Sequence, residues 1–364
     1  MTSPPSRNQD YDDALPENDN NRDNNVNDME NEEDGCLFSC RCESAKSVST
    51  LLSCLRHVGS SALGGPHDSL YSQHHIKNST TLVTVYCSLS SLTFHVYGKA
   101  RQSQASVDIQ AGLFSEYHVR RSALEPQQQQ QQKHSQNTHD NDNDDESTQW
   151  QNGGEFCVSL NTVLECLHVL GSTGLETTKL CLTYDSGTEI FRMELLDERG
   201  VLSTAAIPGV VPEHASSSLA LAFRSAPIIA RMIVKSDILK EAMFELDLVH
   251  GATVATVALS KVNGLELAAV GDAGECVVSL PPKGTVSLES SSERARNYPL
   301  HSFRSGMKAL DIAEETCVSI NEEGMMAIQH QVLDRVGKGS PNFVDFIMGC
   351  LEEEDDDDDD DEEE

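Results

Sequence analysis

The stretch "TLLSCLRHVGS" at residues 50–60 returns as "TVLECLHVLGS" at 162–172, with six of eleven positions identical at an offset of 112. Both are short apolar stretches ending in Gly-Ser. Around the first, Val48, Leu51, Leu52, Leu55 and Val58 recur in steps of three and four. That spacing predicts an amphipathic helix over 44–59, closed by Gly59. A helix so short, with one apolar face, needs a sheet to cover that face. The repeat therefore predicts a unit of helix and strands used more than once.

The flanking sequence supplies the strands. "CLFSCRC" (36–42) precedes the first helix, and "TLVTVYCS" (81–88), "LTFHVYG" (92–98), "ASVDIQ" (105–110) and "LFSEYHV" (113–119) follow it. Their alternation and β-branched residues favour strands. "EFCVSLN" (155–161) leads into the second helix, which is followed by runs at 178–185, 189–196 and 200–207. "PGVVPEHASSS" (208–218) reads as an interdomain linker. Beyond it, "LALAFRSA" and "PIIARMIVKS" read as strands. Residues 237–251 read as a helix capped by Asp237 and ended by Gly251. Strands are expected at 252–260, 265–271, 274–281 and 284–290. A weaker helix at 302–313 and strands at 316–321, 325–333 and 342–350 complete the order. The second half thus repeats the first: strand, helix, strands, twice over. Four related units in two domains, 36–207 and 219–351, form an α+β architecture.

The formal charge of −33 is unevenly spread. Residues 1–35, the insert 121–154 with its six consecutive glutamines, and the tail 352–364 together hold 30 of the 59 acids and 4 of the 26 bases. The remainder is only mildly acidic, so the overall charge says little about what the folded part binds. The three segments read as disordered or low-complexity. Eleven cysteines, many inside apolar runs (Cys54, Cys166, Cys181, Cys317), read as reduced thiols of an intracellular protein. Cys36, Cys40 and Cys42 lack the paired CxxC spacing of a zinc site, so no metal is expected. The polar, acidic N-terminus does not read as a signal peptide, and no apolar run approaches the eighteen residues of a membrane span.

Within this architecture certain words are specific. "IQAGLFSEY" (109–117), "LNTVLECLHVLGS" (160–172), "LKEAMFELD" (239–247), "AGECVVSLP" (273–281) and "MKAL" (307–310) occur in an order that resembles the Rad-one family of checkpoint clamp subunits. These are relatives of PCNA-type DNA sliding clamps. The resemblance is co-linear over roughly 36–350; the acidic segments and the Gln/Asp insert depart from it.

The resemblance implies a PCNA-like clamp fold, with helices lining the ring interior and sheets outside. It implies a heterotrimer with two paralogous subunits, the nine-one-one ring, around double-stranded DNA in the nucleus. A clamp loader would open the ring at damage sites, and the closed ring would recruit checkpoint and repair proteins without any cofactor. A ring that holds DNA topologically needs a tolerable electrostatic lining rather than base contacts. Lys46, Arg56, Lys240, Arg304 and Lys308 are the candidate lining, against the plainer reading of solvated helix-face charges. Five bases are sparse, so DNA affinity without loading should be weak and salt-sensitive. Subunit contacts are assigned to the edge stretches Val201–Ile207 (Val201, Leu202, Ala205, Ile207) and Gly274–Leu280 (Gly274, Cys276, Val278, Leu280), against the alternative that both are internal strands. Val210 and Val211 are the candidates to roof a pocket for client peptides.

Two other classes compete. A 3'-5' exonuclease acting on DNA would need acids fixed on a rigid scaffold. The acidic run at 352–364 is a poor metal site, and Asp108, Asp185 and Asp247 have no visible partners in the sequence. No GxSxG, P-loop, GxGxxG or HExxH occurs, which argues against an enzyme. An acidic binder of basic chromatin proteins is the second rival.

Overall fold

"CLFSCRC" alternates as a half-buried strand must: Phe38, Cys40 and Cys42 are buried and Arg41 is exposed. It opens the first of four strand–helix–strands units in a computed structural model that describes residues 36–56, 58, 81–98, 101–120, 154–171, 174–210, 218–291, 294–333 and 340–351. The first unit is β1 (Cys36–Cys42), α1 (Ala45–Ser53), β2 (Leu82–Cys87), β3 (Ser91–Tyr97), β4 (Ser103–Gln110) and β5 (Glu116–Val119). The second is β6 (Gly154–Ser159), α2 (Leu160–Leu167), β7 (Lys179–Asp185), β8 (Ile190–Leu196) and β9 (Leu202–Pro208). After α3 (Leu219–Ser225), the third is β10 (Ile228–Lys235), α4 (Ser236–Asp247), β11 (Val254–Ser260), β12 (Gly264–Gly271), β13 (Gly274–Leu280) and β14 (Thr285–Ser290). The fourth is β15 (Ala295–Pro299), α5 (Leu300–Gly306), β16 (Glu315–Asn321), β17 (Met326–Val332) and β18 (Asn342–Met348).

The strands form three antiparallel sheets, in the orders β5-β1-β7-β8-β9, β14-β10-β16-β17-β18-β4-β3-β2-β6, and β13-β12-β11-β15. The pattern repeats: β14-β10-β16-β17-β18 has the order of β5-β1-β7-β8-β9, and β13-β12-β11-β15 that of β4-β3-β2-β6. Side chains repeat with it. Arg41 on β1 pairs with Glu116 of β5 at 3.2 Å and bonds Cys181 of β7. Arg231 on β10 stands opposite Glu289 of β14 and donates to Cys317 Sγ of β16 at 3.3 Å.

Apolar faces meet between the layers. Phe156 of β6 stacks on Tyr184 of β7 with centroids 3.7 Å apart, and lies 6.0 Å from Phe38 and 5.6 Å from Phe191. On the other side of the chain, a Cβ on Gly306 would come within 2.7 Å of Phe346, so α5 rests directly on β18.

Four sequence expectations need correction. "LALAFRSA" is not a strand but α3. Its period-two alternation is made of Leu and Ala, which are helix formers, and the Ser218 side chain accepts from Ala220 N–H as a cap. Asp237 is not the cap of α4; it lies in the first turn, where its charge suits the helix dipole. That helix stops at Asp247 rather than at Gly251, whose φ of 81° serves the turn before β11. β15, "ARNYP", was not expected at all, because it is short and Pro-terminated. Gly59 lies outside the described residues.

Candidate nucleic-acid interface and assembly edges

The four helices of the units pair off. α1 meets α2, and α4 packs on the 3-10 turn Lys308–Asp311 that follows α5, with Arg304 of α5 reaching Asp247 of α4. The apolar stripe of each faces the sheets. In α1 it comprises Val48, Leu51 and Leu52; in α4 it is Leu239, Ala242, Met243 and Leu246. The opposite faces carry the five candidate bases, all on or beside these helices, and the structure gives them unequal surroundings. Lys46, in the first turn of α1, pairs with Glu176. Lys240 Nζ on α4 lies 2.5 Å from Asp311 Oδ1, which holds its ammonium pKa above the ordinary lysine value. Arg304 Nε on α5 donates to Asp247 Oδ1 at 2.6 Å. Among the described residues, neither Arg56 nor Lys308 has an ion-pair partner, and both are exposed. Among the described residues no ion pair joins α1 to α2: His168 Nε2 lies 3.3 Å from Ser49 Oγ, and His168 Nδ1 donates to Leu164 O at 2.6 Å.

The three acids without visible partners in the sequence all have them in space. Asp247 holds Arg304. Asp108 of β4 accepts from Thr93 of β3 and from Gln110. Asp185 accepts the turn N–H of Gly187 and the hydroxyl of Thr188, which keep its carboxyl below the usual range. Among the described residues, no three potential metal ligands converge.

The edge stretches fall where the two outer sheets end. β9 closes the five-stranded sheet and β13 the four-stranded one, with no further strand beyond either among the described residues. Val201 precedes β9, and Leu202 is 60% exposed; Ala205 is half-buried and Ile207 points into the core. Along β13, Gly274 is exposed. Cys276, Val278 and Leu280 are half-buried toward α4, with Cys276 Sγ donating to Glu245 O. These inward side chains leave the edge backbone and the outward Val277 for any partner. Apolar residues that sequence reading missed belong to the helices packed against these edges, α4 on β13 and α2 on β9: Phe244 on α4 and Leu248 at its C-cap, 64% and 57% exposed, and Val169 after α2, 60% exposed. The signal was available in α4, where Phe244 and Leu248, four residues apart, interrupt the polar face. At the linker, Val210 exchanges two backbone hydrogen bonds with Cys157 of β6, of 2.8 and 3.2 Å. Val211 lies outside the described residues.

A sequence model described as "Repair protein Rad1/Rec1/Rad17" matches residues 37–332. The chain belongs to this Rad1 family. It is 24% identical over 243 residues to the human "Cell cycle checkpoint protein RAD1", covering 66% of this chain and 74% of that one. It is 29% identical over 118 residues to the Schizosaccharomyces pombe "DNA damage checkpoint control protein rad1", covering 32% of this chain and 36% of that one. Among solved structures, a PCNA2–PCNA3 complex from Sulfolobus tokodaii matches with a TM-score of 0.59 at 13% identity, over 86% of this chain and 98% of that one. The fold of this Rad1-family chain is therefore the PCNA-like α+β clamp fold expected from the order of its units.

Proposed function

We propose that this chain is a non-catalytic subunit of a heterotrimeric checkpoint clamp, closed around double-stranded DNA in the nucleus. A clamp loader places it at damage sites, where it recruits checkpoint and repair proteins. One observation carries the assembly. β18 pairs with β4 to join two repeated half-sheets into the nine-stranded sheet, in register from Phe343↔Asp108 to Met348↔Ser103. The equivalents of β18 and β4 in the repeat are β9 and β13, the strands that end the outer sheets. Pairing β9 of one subunit with β13 of the next repeats the internal joint between molecules. Such a head-to-tail contact closes into a ring when the rotation permits. The halves 36–207 and 219–351 are then the two domains, with 208–218 as the linker between them.

In this reading the exposed helix faces line the ring, with Arg56 and Lys308 as the ready phosphate contacts and Lys46, Lys240 and Arg304 as partly neutralised ones. Phe244, Leu248 and Val169 flank the subunit contact, and Val210 with Val211 roofs a client site. The exonuclease alternative is weakened by Asp108, Asp185 and Asp247, each engaged in a structural contact. The family names of the relatives favour the checkpoint role over an acidic chromatin binder.

The native mass of the chain tests this, alone and co-expressed with two clamp-like relatives. The expected result is a monomer alone and a one-to-one-to-one complex together. A discrete homo-oligomer, or metal-dependent DNA cleavage, sinks the reading.

A further inference from the structure

The two helix pairs are joined by different chemistry, and the difference falls on the bases assigned to DNA. Ser49 and Lys240 are each the fifth residue of their helix. Ser49 meets His168, the C-cap of α2, through a hydrogen bond rather than an ion pair with a carboxylate. Lys240 of α4 pairs with Asp311 of the 3-10 turn, and Arg304 of α5 pairs in turn with Asp247 of α4. Each element of the second pair thus gives one base and one acid. Asp311 also lies close enough to the half-buried Cys54 thiol at the C-cap of α1 to help push it up, with burial as the main cause, to about 12.

We propose that Asp247 and Asp311 set how tightly this chain grips DNA, by holding Arg304 and Lys240 in a reciprocal clasp that phosphate must displace. The inference rests on the helix faces being the DNA lining. Stability does not explain the clasp. Side-chain exposures of 56% and 71% for Lys240 and Asp311, and 36% and 55% for Arg304 and Asp247, put both pairs in water, where ion pairs contribute little. Asp247 is also the last residue of α4, the end where the helix dipole disfavours an acid. Exposure is what exchange requires: a phosphate can reach either base once its carboxylate lets go. A base already neutralised by a fixed carboxylate brings little new charge to DNA, so binding releases fewer counterions. The consequence suits a ring retained by topology, which has to move along the duplex.

The test uses the full chain and a short fluorescent duplex, titrated over a range of salt. Asp311→Asn and Asp247→Asn should each bind tighter, on the order of threefold to tenfold at low salt, with the log–log salt slope steeper by about one unit per base freed. In a Lys240→Met background the gain from Asp311→Asn should vanish. If that gain persists, plain repulsion between Asp311 and DNA explains it and the clasp is overturned. If Arg56→Glu and Lys308→Glu weaken binding while both Asp→Asn changes do nothing, the lining stands and the clasp falls. If none of these changes alters binding, the lining itself is wrong and the clasp goes with it. Thermal melting of every variant checks folding, and Asp247→Ser and Asp311→Ser repeat the test where an asparagine variant misfolds.

Discussion

His330 donates from Nε2 to Gly306 O at 2.7 Å, and its Nδ1 accepts from Thr316, whose hydroxyl lies 2.8 Å from Ser236 Oγ. This buried chain ties α5 through β17 and β16 to the start of α4. Burial drives the His330 pKa down to about 4. His95, bonded to Gln104 beneath α3, is lowered to about 4 for the same reason, with Arg224 adding to it. The stability these neutral rings provide is full above the unfolded histidine value and is lost as pH falls from about 6.5 toward 4. From about pH 7.5 to about pH 5.5 each should cost on the order of 1 kcal/mol. Asp345 opposes them. Burial, with Asp108 nearby, raises it to about 6, so its ionised form is a burden that protonation relieves. Thermal melts across this range should find His330→Asn less stable at neutral pH but flatter in acid. Asp345→Asn should be more stable than the parent above about pH 6. A parent whose acid sensitivity is untouched by His330→Asn would contradict the assignment.

At the scale of elements, the repeat is in topology and core positions rather than in caps. α2 starts with Ser159 accepting from Thr162 N–H, whereas α4 has no side-chain cap. Ser159→Ala should therefore cost about 1 kcal/mol by chemical denaturation, while Lys235→Ala, at the equivalent place before α4, should cost far less. The short helices depend on what they lie on. Gly306→Val would drive a side chain into Phe346 and Ile328 and should destabilise by about 1–3 kcal/mol or more. An unchanged melting temperature would show that α5 can lift from its sheet freely.

For the whole molecule, the end strands are the test of how copies and relatives join. Leu202→Lys on β9 and Val277→Lys on β13 are at exposed positions and should leave the melting temperature within a few degrees. Both should nonetheless lower the yield of the co-expressed complex, measured by native mass. Loss of the complex from one edge only would mean that the other edge faces no subunit. The segments 1–35, 121–153 and 352–364 lie outside the described residues, so the sequence alone speaks for their charge.

Periodicity and the doubled helix determined the α+β class and the order of the units, and the ordered words from "IQAGLFSEY" to "MKAL" carried the family resemblance. Apolar spacing at three and four, or at two, follows directly from which face must leave water. It misled where period two was built from helix formers, as in α3, where a strand was too short to show a period, as in β15, and at helix ends, since α4 stops at Asp247 and the helix expected at 302–313 divides into α5 and the 3-10 turn Lys308–Asp311. The five bases were legible as bases, but their partners were not. Glu176, Asp247 and Asp311 lie 130, 57 and 71 positions from Lys46, Arg304 and Lys240, so only folding brings each pair together. The same holds for the edges. Any one strand reads alike whether it is internal or terminal, because its own alternation records which face is buried and not which backbone groups are paired. That β18 has a partner in β4 while β9 and β13 end their sheets was decided by the tertiary structure, through hydrogen bonds between strands far apart in the chain.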